Sequence, residues 1–395
     1  MTKGGELWHS RRKIVTPAFG FKLLEGFVEI FDRQSTILLD CLGEQADGKT
    51  PFNIYPLINS FNLDVIVETS MGIQLNTQTK KGCVYTAAVE ELTEIYGFRL
   101  SSLLLHFETI FSLRHPFKWL RQRKLQRIVH DFSQKVIRQR RALLENSRDT
   151  NLKDADRSLG YGNKRHYAVL DTLLQATLNG QSLADDVIRE EVDKVMFAGH
   201  DTTATALSFG LHLLARHPRV QKKILEEIFQ VYGELESSMR FSLMNLNELK
   251  YLECVIKEVL RLYPSVPIIA RIIEQDLKYK HSTLGEGIIP AGTNFIILVN
   301  GSPTSGDSYP NPDEFFPERH ENADDGGNTN YGRPFSAGPR NCFGQKFAMY
   351  NMKVALVRII RRYELLPLGE KVRPLLHIVL RSENGMQLGM RKRCH

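Results

Sequence analysis

Three stretches place reactive residue types at spacings that could do chemistry. In "PFSAGPRNCFGQKFA", residues 334–348, Cys342 stands just before an amphipathic run, with Gly338 and Gly344 flanking it and Arg340 two positions upstream. A cysteine at a helix N-terminus meets unpaired backbone N–H groups and the positive end of the helix dipole, which favour the thiolate, a nucleophile and a soft metal ligand. The glycines permit sharp turns and the close approach of a flat ligand. In "VMFAGHDTTATA", residues 195–206, Gly199, His200, Asp201 and Thr202 interrupt a long apolar stretch. Each weakens a helix or costs free energy to bury, but an acid beside an alcohol can pass protons. In "EVLR", Glu258 and Arg261 lie one helical turn apart. Each stretch also has a purely structural reading. These are an inert core cysteine, a threonine bonded back to its own helix beside a capped aspartate, and a surface ion pair worth less than about 1 kcal/mol.

The elements that must position these residues are mostly helical. Segments 23–44, 52–72, 84–98 and 120–146 carry apolar residues at three- and four-residue spacings. The polar stretch 147–166 reads as a surface loop. The helix around Asp201 is predicted to start at a capping box, Ser182 with Asp185, and to stop at His217-Pro218. At ~1.5 Å per residue it would be roughly 50 Å long, enough to cross the molecule. A helix over about 246–262 ends at Tyr263-Pro264. Short strands follow in "PIIARII" and "GTNFIILV", then an irregular region over 301–333, a helix from about Phe343, and two closing strands around the turn "ENG" at 383–385.

The bulk properties are those of an ordinary globular chain. Of 395 residues, 42% are hydrophobic and 25% charged, which excludes fibrous and disordered classes. Five scattered cysteines, Cys41, Cys83, Cys254, Cys342 and Cys394, never form CxxC, so neither a disulfide framework nor a zinc site is indicated. The net charge of +7 and clusters such as Arg11-Arg12-Lys13 suit anionic lipid or an acidic partner, and no nucleic-acid motif accompanies them. No apolar run is long enough to span a bilayer.

Taken whole, the pattern FxxGxRxCxG, from Phe335 to Gly344, resembles the haem-binding loop of the cytochrome P450 family. Further matches are "WHSRR" with Trp8 and Arg12, Arg271 in "IIARII", Arg319 in "PER", and "AGHDTT" from Ala198. The resemblance implies a mainly α cytochrome P450 fold, a helix-rich prism with small β-sheets. The chain would be a single haem-thiolate monooxygenase domain over 1–395, N-terminally truncated, without an anchor or the first helices and strands. It implies Cys342 as the axial thiolate ligand of haem iron. Trp8, Arg12, Arg271 and Arg340 would reach the haem propionates. Ala198, Gly199, Phe335 and Gly344 would line the cofactor, and Glu258, Arg261 and Arg319 would form a buried triad bracing the cysteine loop. Asp201 and Thr202 would relay protons.

"EVDKVMFAGHDTT" is similar to the family-4 branch in its insect-like form, known for ω-hydroxylating fatty acids. The implied activity inserts one oxygen atom from O2 into a lipophilic substrate: a fatty acid, hormone or xenobiotic. Electrons would come from NADPH–cytochrome P450 reductase, which carries FAD and FMN, with cytochrome b5 as a further donor. The site of action would be the cytosolic face of the endoplasmic reticulum membrane. Arg11, Lys13 and Lys346 would steer the reductase, and residues 98–120 read either as a lid dipping into the membrane interface or as an ordinary helix pair.

Some positions depart from the pattern. Ala198 stands where many family-4 members carry the glutamate that esterifies haem, so haem b is expected to be non-covalent. "GSPTSGDSYP" replaces a loop that usually contains His-Arg-Asp. His320 replaces a phenylalanine and is expected to weaken packing behind the haem. One rival reading is a haem-free, inactive fragment of the fold. Another keeps haem for isomerase or peroxygenase chemistry, against which the intact Asp201-Thr202 pair speaks.

Overall fold

The computed structural model describes residues 5–80, 82–100, 102–149, 168–178, 181–234, 239–281, 283–299, 311–321 and 334–393. Of the loop expected at 147–166, residues 147–149 instead belong to the end of a helix that runs to Asp149; its remainder from 150, the replaced loop at 301–310 and Cys394 lie outside the described residues.

The helices are α1 (Gly5–Val15), α2 (Phe21–Gly43), α3 (Tyr55–Met71), α4 (Val84–Leu100), α5 (Glu108–Arg114), α6 (Pro116–Asp149), α7 (Val169–Gln175), α8 (Asp185–Arg216), α9 (Pro218–Tyr232), α10 (Leu243–Glu248), α11 (Lys250–Leu262) and α12 (Gln345–Arg362). The strands are β1 (Phe52–Asn53), β2 (Thr177–Leu178), β3 (Gln181–Ser182), β4 (Ile268–Ile272), β5 (Leu277–His281), β6 (Gly285–Ile289), β7 (Asn294–Leu298), β8 (Tyr363–Leu366), β9 (Pro374–Leu375), β10 (Arg381–Ser382) and β11 (Gln387–Lys392). The architecture is mainly α with small antiparallel sheets, as the sequence implies.

Two helices form the axis of the core. α3 is buried on nearly every side, from Ile58 to Met71, and its buried carboxylates are hydrogen-bonded: Asp64 accepts from the Thr77 and Gln78 N–H groups, and Glu68 from the Gln34 and Gln74 side chains. α3 packs along α8, where Gly199 permits the close crossing: a Cβ there would lie 2.4 Å from Ile66 Cδ1. α2 and α12 pack together, and Phe347 at the start of α12 meets Phe19, Phe27 and Phe31 edge-on, with ring centroids 5.7, 5.9 and 5.1 Å away. A smaller core, containing Leu92, Ile95, Phe111 and Leu125, lies under α4 to α6.

Strand β11 pairs antiparallel with β1 (Phe52↔Leu388) and with β8 (Gly389↔Leu366), so residues from both ends of the described chain share one sheet. β4 pairs with β7, and β5 with β6.

Several local expectations are corrected. α8 starts at Asp185 after Ala184, with no side-chain cap, because Ser182 is taken up in the β2–β3 hairpin. Its acidic first turn, Asp185 and Asp186, meets the helix dipole instead. The expected helix over 246–262 is two helices, broken at Leu249, whose ψ of 73° is not helical. "ENG" does form a turn, with Gly385 at φ 74°, but the strands on either side do not pair. β10 joins β9, and β11 joins β8 and β1.

Candidate functional site

The cysteine loop lies between two left-handed turns and a helix start. Ser336, not a glycine, has φ 60° and Gly338 has φ 72°. A non-glycine residue at positive φ persists only where its surroundings fix it. Here Ser336 Oγ accepts from Arg271 Nη2 at 3.2 Å, and the Cys342 N–H donates to the Phe335 carbonyl at 2.9 Å, closing the loop. Gly344 then caps α12.

Arginines converge on this loop. Arg12 Nη1 and Nη2 donate to the Asn341 carbonyl (2.9 Å) and Asn341 Oδ1 (2.7 Å). The Arg340 guanidinium lies 3.6 Å above the centre of the Trp8 ring, and that of Arg12 lies 5.7 Å from it. Thus Trp8, Arg12, Arg271, Phe335, Arg340 and Gly344, far apart in sequence, are gathered around Cys342. Arg11 is different: its side chain turns inward to Glu190 (2.7 Å) and Glu191 (3.0 Å), so it is held within the fold. Lys13 and Lys346 are exposed.

Cys342 itself is exposed by area, yet protein atoms crowd its thiol. That combination describes a sulfur on the floor of a recess. Burial pushes the thiol's pKa above its ordinary value, and the Gly344 N–H, donated to the sulfur, and the charge of Arg12 offset only part of that rise. Among the described residues, no group of three or more His, Cys, Asp or Glu side chains could hold a metal ion. The arginines gathered around the sulfur suit a cofactor with acidic groups, as the resemblance to the cytochrome P450 haem loop implies.

Behind the loop, Glu258 is fully buried. Arg261 donates to both its oxygens (2.8 and 2.9 Å), Arg319 Nε to one (2.9 Å), and the Phe316 N–H to the same oxygen (3.0 Å). The expected triad is present and has a fourth member. His320 Nε2 lies 2.9 Å from Glu258 Oε2, so the expectation that this residue loosens the packing is overturned. Burial would raise the Glu258 pKa, but the hydrogen bonds from His320 and Arg261, the Phe316 N–H and the charge of Arg261 outweigh it and hold the carboxyl at about 2.

On α8, Thr202 Oγ1 donates back to the Ala198 carbonyl at 2.7 Å, as its spacing suggests. The Thr202 carbonyl in turn accepts from Ser265 Oγ at 2.7 Å. Gly199 is accounted for by Ile66 of α3. His200 is wholly buried, with Nδ1 2.7 Å from the Met196 carbonyl, and burial holds its pKa down. Asp201 is also wholly buried, and its carboxylate is not solitary. Arg381 Nη2 reaches both oxygens (2.6 and 2.8 Å), and Tyr55 Oη donates to one (2.8 Å).

Tyr55, Arg381 and Ser265 are the residues missed from sequence, and His320 was noticed there but given the opposite effect. Arg381 alone left a signal, as a cation directly after the apolar run "HIVL". A charge in a buried strand must have a partner.

Comparison with known proteins agrees with this geometry. The family model for cytochrome P450 matches residues 1–390. Cytochrome P450 4d8 of Drosophila melanogaster is 50% identical over 392 residues, 99% of this chain and 83% of that protein. Cytochrome P450 4d2 of the same organism is 46% identical over 391 residues, 98% of this chain and 76% of that protein. The crystal structure of another cytochrome P450 superposes with a TM-score of 0.80, covering 100% of this chain and 83% of that one; at 22% identity it speaks for the fold. A match this extended, along a chain whose arginines and braced cysteine meet at one loop, makes it a member of the cytochrome P450 family, and so a haem monooxygenase.

Proposed function

We propose that this chain inserts one oxygen atom from O2 into a C–H bond of a lipophilic substrate, fatty-acid-like in character, using Cys342 as the thiolate ligand of haem b. The observation that carries the reading is the Cys342 thiol, open on one side, receiving the Gly344 N–H and facing the charge of Arg12. When bound, haem supplies the oxygen-activating chemistry.

The chain's own residues would do the rest. The Gly344 N–H and the charge of Arg12 offset part of the cost that burial sets on the thiolate, and bound iron would supply the rest. Arg12, Arg271, Arg340 and Trp8 would grip the acidic groups of the cofactor. The Thr202 hydroxyl, engaged with the Ala198 carbonyl, can both donate and accept, and Asp201 beside it completes an acid–alcohol pair for moving protons. An alanine at 198 offers no carboxylate for an ester, so the cofactor is held without a covalent bond.

Electrons would come singly from NADPH–cytochrome P450 reductase, through its flavins, or from cytochrome b5. With Arg11 turned inward, Lys13 and Lys346 are the cations of this group left to steer an acidic partner. The endoplasmic reticulum surface is favoured by a patch on α4 to α6 where Leu100, Leu104, Phe107, Leu113, Phe117 and Leu120 are exposed among arginines and lysines. No described helix is long and apolar enough to cross a membrane.

The reduced, carbon monoxide-bound absorption spectrum tests the reading. The wild-type chain should show the strongly red-shifted Soret band of thiolate-ligated haem, and Cys342→Ser should lose it together with NADPH-driven oxidation. A flat wild-type spectrum would leave the haem-free fragment as the better account. Acid-acetone should extract all the haem.

A further inference from the structure

α1 carries two of the residues that meet the cysteine loop, Trp8 and Arg12, but little apolar packing fixes it. All 11 of its residues are described, and of these Val15 alone is buried. Ile14 packs half-buried at the edge of the main core, while Leu7 is exposed. A helix of this length is marginal in water by itself. Polar contacts must therefore hold α1 where Trp8 and Arg12 can act.

Arg11 supplies such a tie. Its Nη1 donates to Glu190 Oε2 at 2.7 Å and to Glu191 Oε1 at 3.0 Å, carboxylates on successive residues of α8. Glu191 Oε1 also accepts from Lys194 Nζ at 2.7 Å, one turn along α8, which fixes that carboxylate in turn. The Arg11 and Glu191 side chains are each 10% exposed, so this is a shielded ion pair and not a solvated surface contact. Glu190 is more open, at 35%.

Neighbouring residues of a helix point roughly 100° apart. Arg11 thus grips α8 while Arg12 turns to the carbonyl and side chain of Asn341 in the cysteine loop. Trp8, one turn earlier, lies under the Arg340 guanidinium at 3.6 Å. One flank of α1 is fastened to α8 and the other faces the loop.

We infer that Arg11 is a positioning residue: by pinning α1 to Glu190 and Glu191, it presets Trp8 and Arg12 against the cysteine loop. This rests on the proposed role of Trp8 and Arg12 in gripping the acidic groups of haem. The physical reason is preorganisation. Side chains already in place cost no ordering when the cofactor arrives, whereas a helix free to rock leaves the cofactor to order them and releases it sooner. Arg11 acts through α1, since its guanidinium is engaged with α8. An arginine suits the task because its planar head can meet two carboxylates at once.

Hydrogen exchange of the full chain, with and without haem, reads the tie directly. Arg11→Gln should raise amide exchange over α1 about tenfold, while α3 and α12 stay as protected as in the wild type. Haem transfer to excess apomyoglobin reads the consequence. Arg11→Gln should lose haem about tenfold faster, with the reduced, carbon monoxide-bound Soret band unmoved because Cys342 is untouched. Arg11→Lys keeps a cation beside the two carboxylates and should retain most of the wild-type behaviour. Glu190→Gln with Glu191→Gln should match Arg11→Gln, and adding Arg11→Gln to that pair should shift neither readout further. If Arg11→Gln does not fold, the more open Glu190→Gln carries the test, and both readouts should move the same way by a smaller factor. Unchanged exchange over α1 in the variant that folds, unchanged haem loss, or effects of the two sides that simply add, overturn the inference. The exchange result stands whether or not haem binds, so it separates failure of this inference from failure of the haem-thiolate reading.

Discussion

Glu258 collects Arg261, Arg319, His320 and the Phe316 N–H around a carboxylate with no solvent exposure. The one-turn spacing of "EVLR" made a Glu258–Arg261 pair legible, its burial and Arg319 of "PER" came only through the family resemblance, and His320 was read as a defect because its type was judged without its neighbours. Its ring nitrogen fills a position on the carboxylate that a phenylalanine would leave to chance. The acid limb of stability follows from the pKa of about 2. A carboxyl depressed below its unfolded value of ~4.3 contributes stability that is complete above that value and is lost as pH falls toward the folded one. Urea unfolding of the wild type should therefore lose stability between about pH 4 and pH 2, and Glu258→Gln should flatten that part of the profile. At neutral pH the same variant should cost about 3–5 kcal/mol, since it leaves buried cations without their partner. His320→Phe should cost about 1–3 kcal/mol, for one lost hydrogen bond to a buried charge. A His320→Phe chain as stable as wild type would remove His320 from the brace.

At the scale of elements, α8 and α12 were visible because long amphipathic or apolar runs at helical period survive any context. α3 was found with its start misplaced by the short strand β1, and its burial on all sides blurred the period. The break at Leu249 carried no glycine or proline, and the β5–β6 hairpin, with strands "LKYKH" and "GEGII", has too little alternating apolar character to be read as strands. What no local pattern encodes is the α3–α8 crossing. Gly199 looked like a cofactor position, but its direct structural demand is the 2.4 Å at which a Cβ would meet Ile66. Gly199→Ala should cost about 1–3 kcal/mol by overpacking, measured by urea unfolding, and Ile66→Val in the same chain should return part of that loss. If the two changes simply add, the crossing does not depend on this contact. Likewise, the clamp on Asp201 joins residues 146 and 180 positions away, a distance over which residue type alone predicts nothing.

For the whole molecule, the exposed apolar residues of α4 to α6 distinguish two readings left open by sequence, a lid at a membrane interface or an ordinary helix pair. The pair does have its own small core, containing Phe111 and Leu125, so it is packed beneath as well as apolar above. Leu113 and Phe117 are 78% and 85% exposed, which no internal packing explains. Vesicles containing anionic lipid should bind the wild-type chain, and Leu113→Ser with Phe117→Ser should weaken binding several-fold, by the ~0.8 kcal/mol lost per buried CH2. Equal binding by both chains would assign the patch to something other than lipid.

The sheet that joins Phe52 to Leu388, together with the Arg12 bonds to Asn341 across 329 residues, has a bearing on how the protein is made. A nascent chain leaving the ribosome has α1 to α3 ready early but must wait for the last strand before the sheet can close or Asp201 can be neutralised. Until then, α3 and α8 carry exposed apolar surface and an unmatched charge, so chaperone occupancy should be heaviest in the final moments of translation. A premature stop before Arg381 would remove little mass and yet leave the protein unable to finish folding.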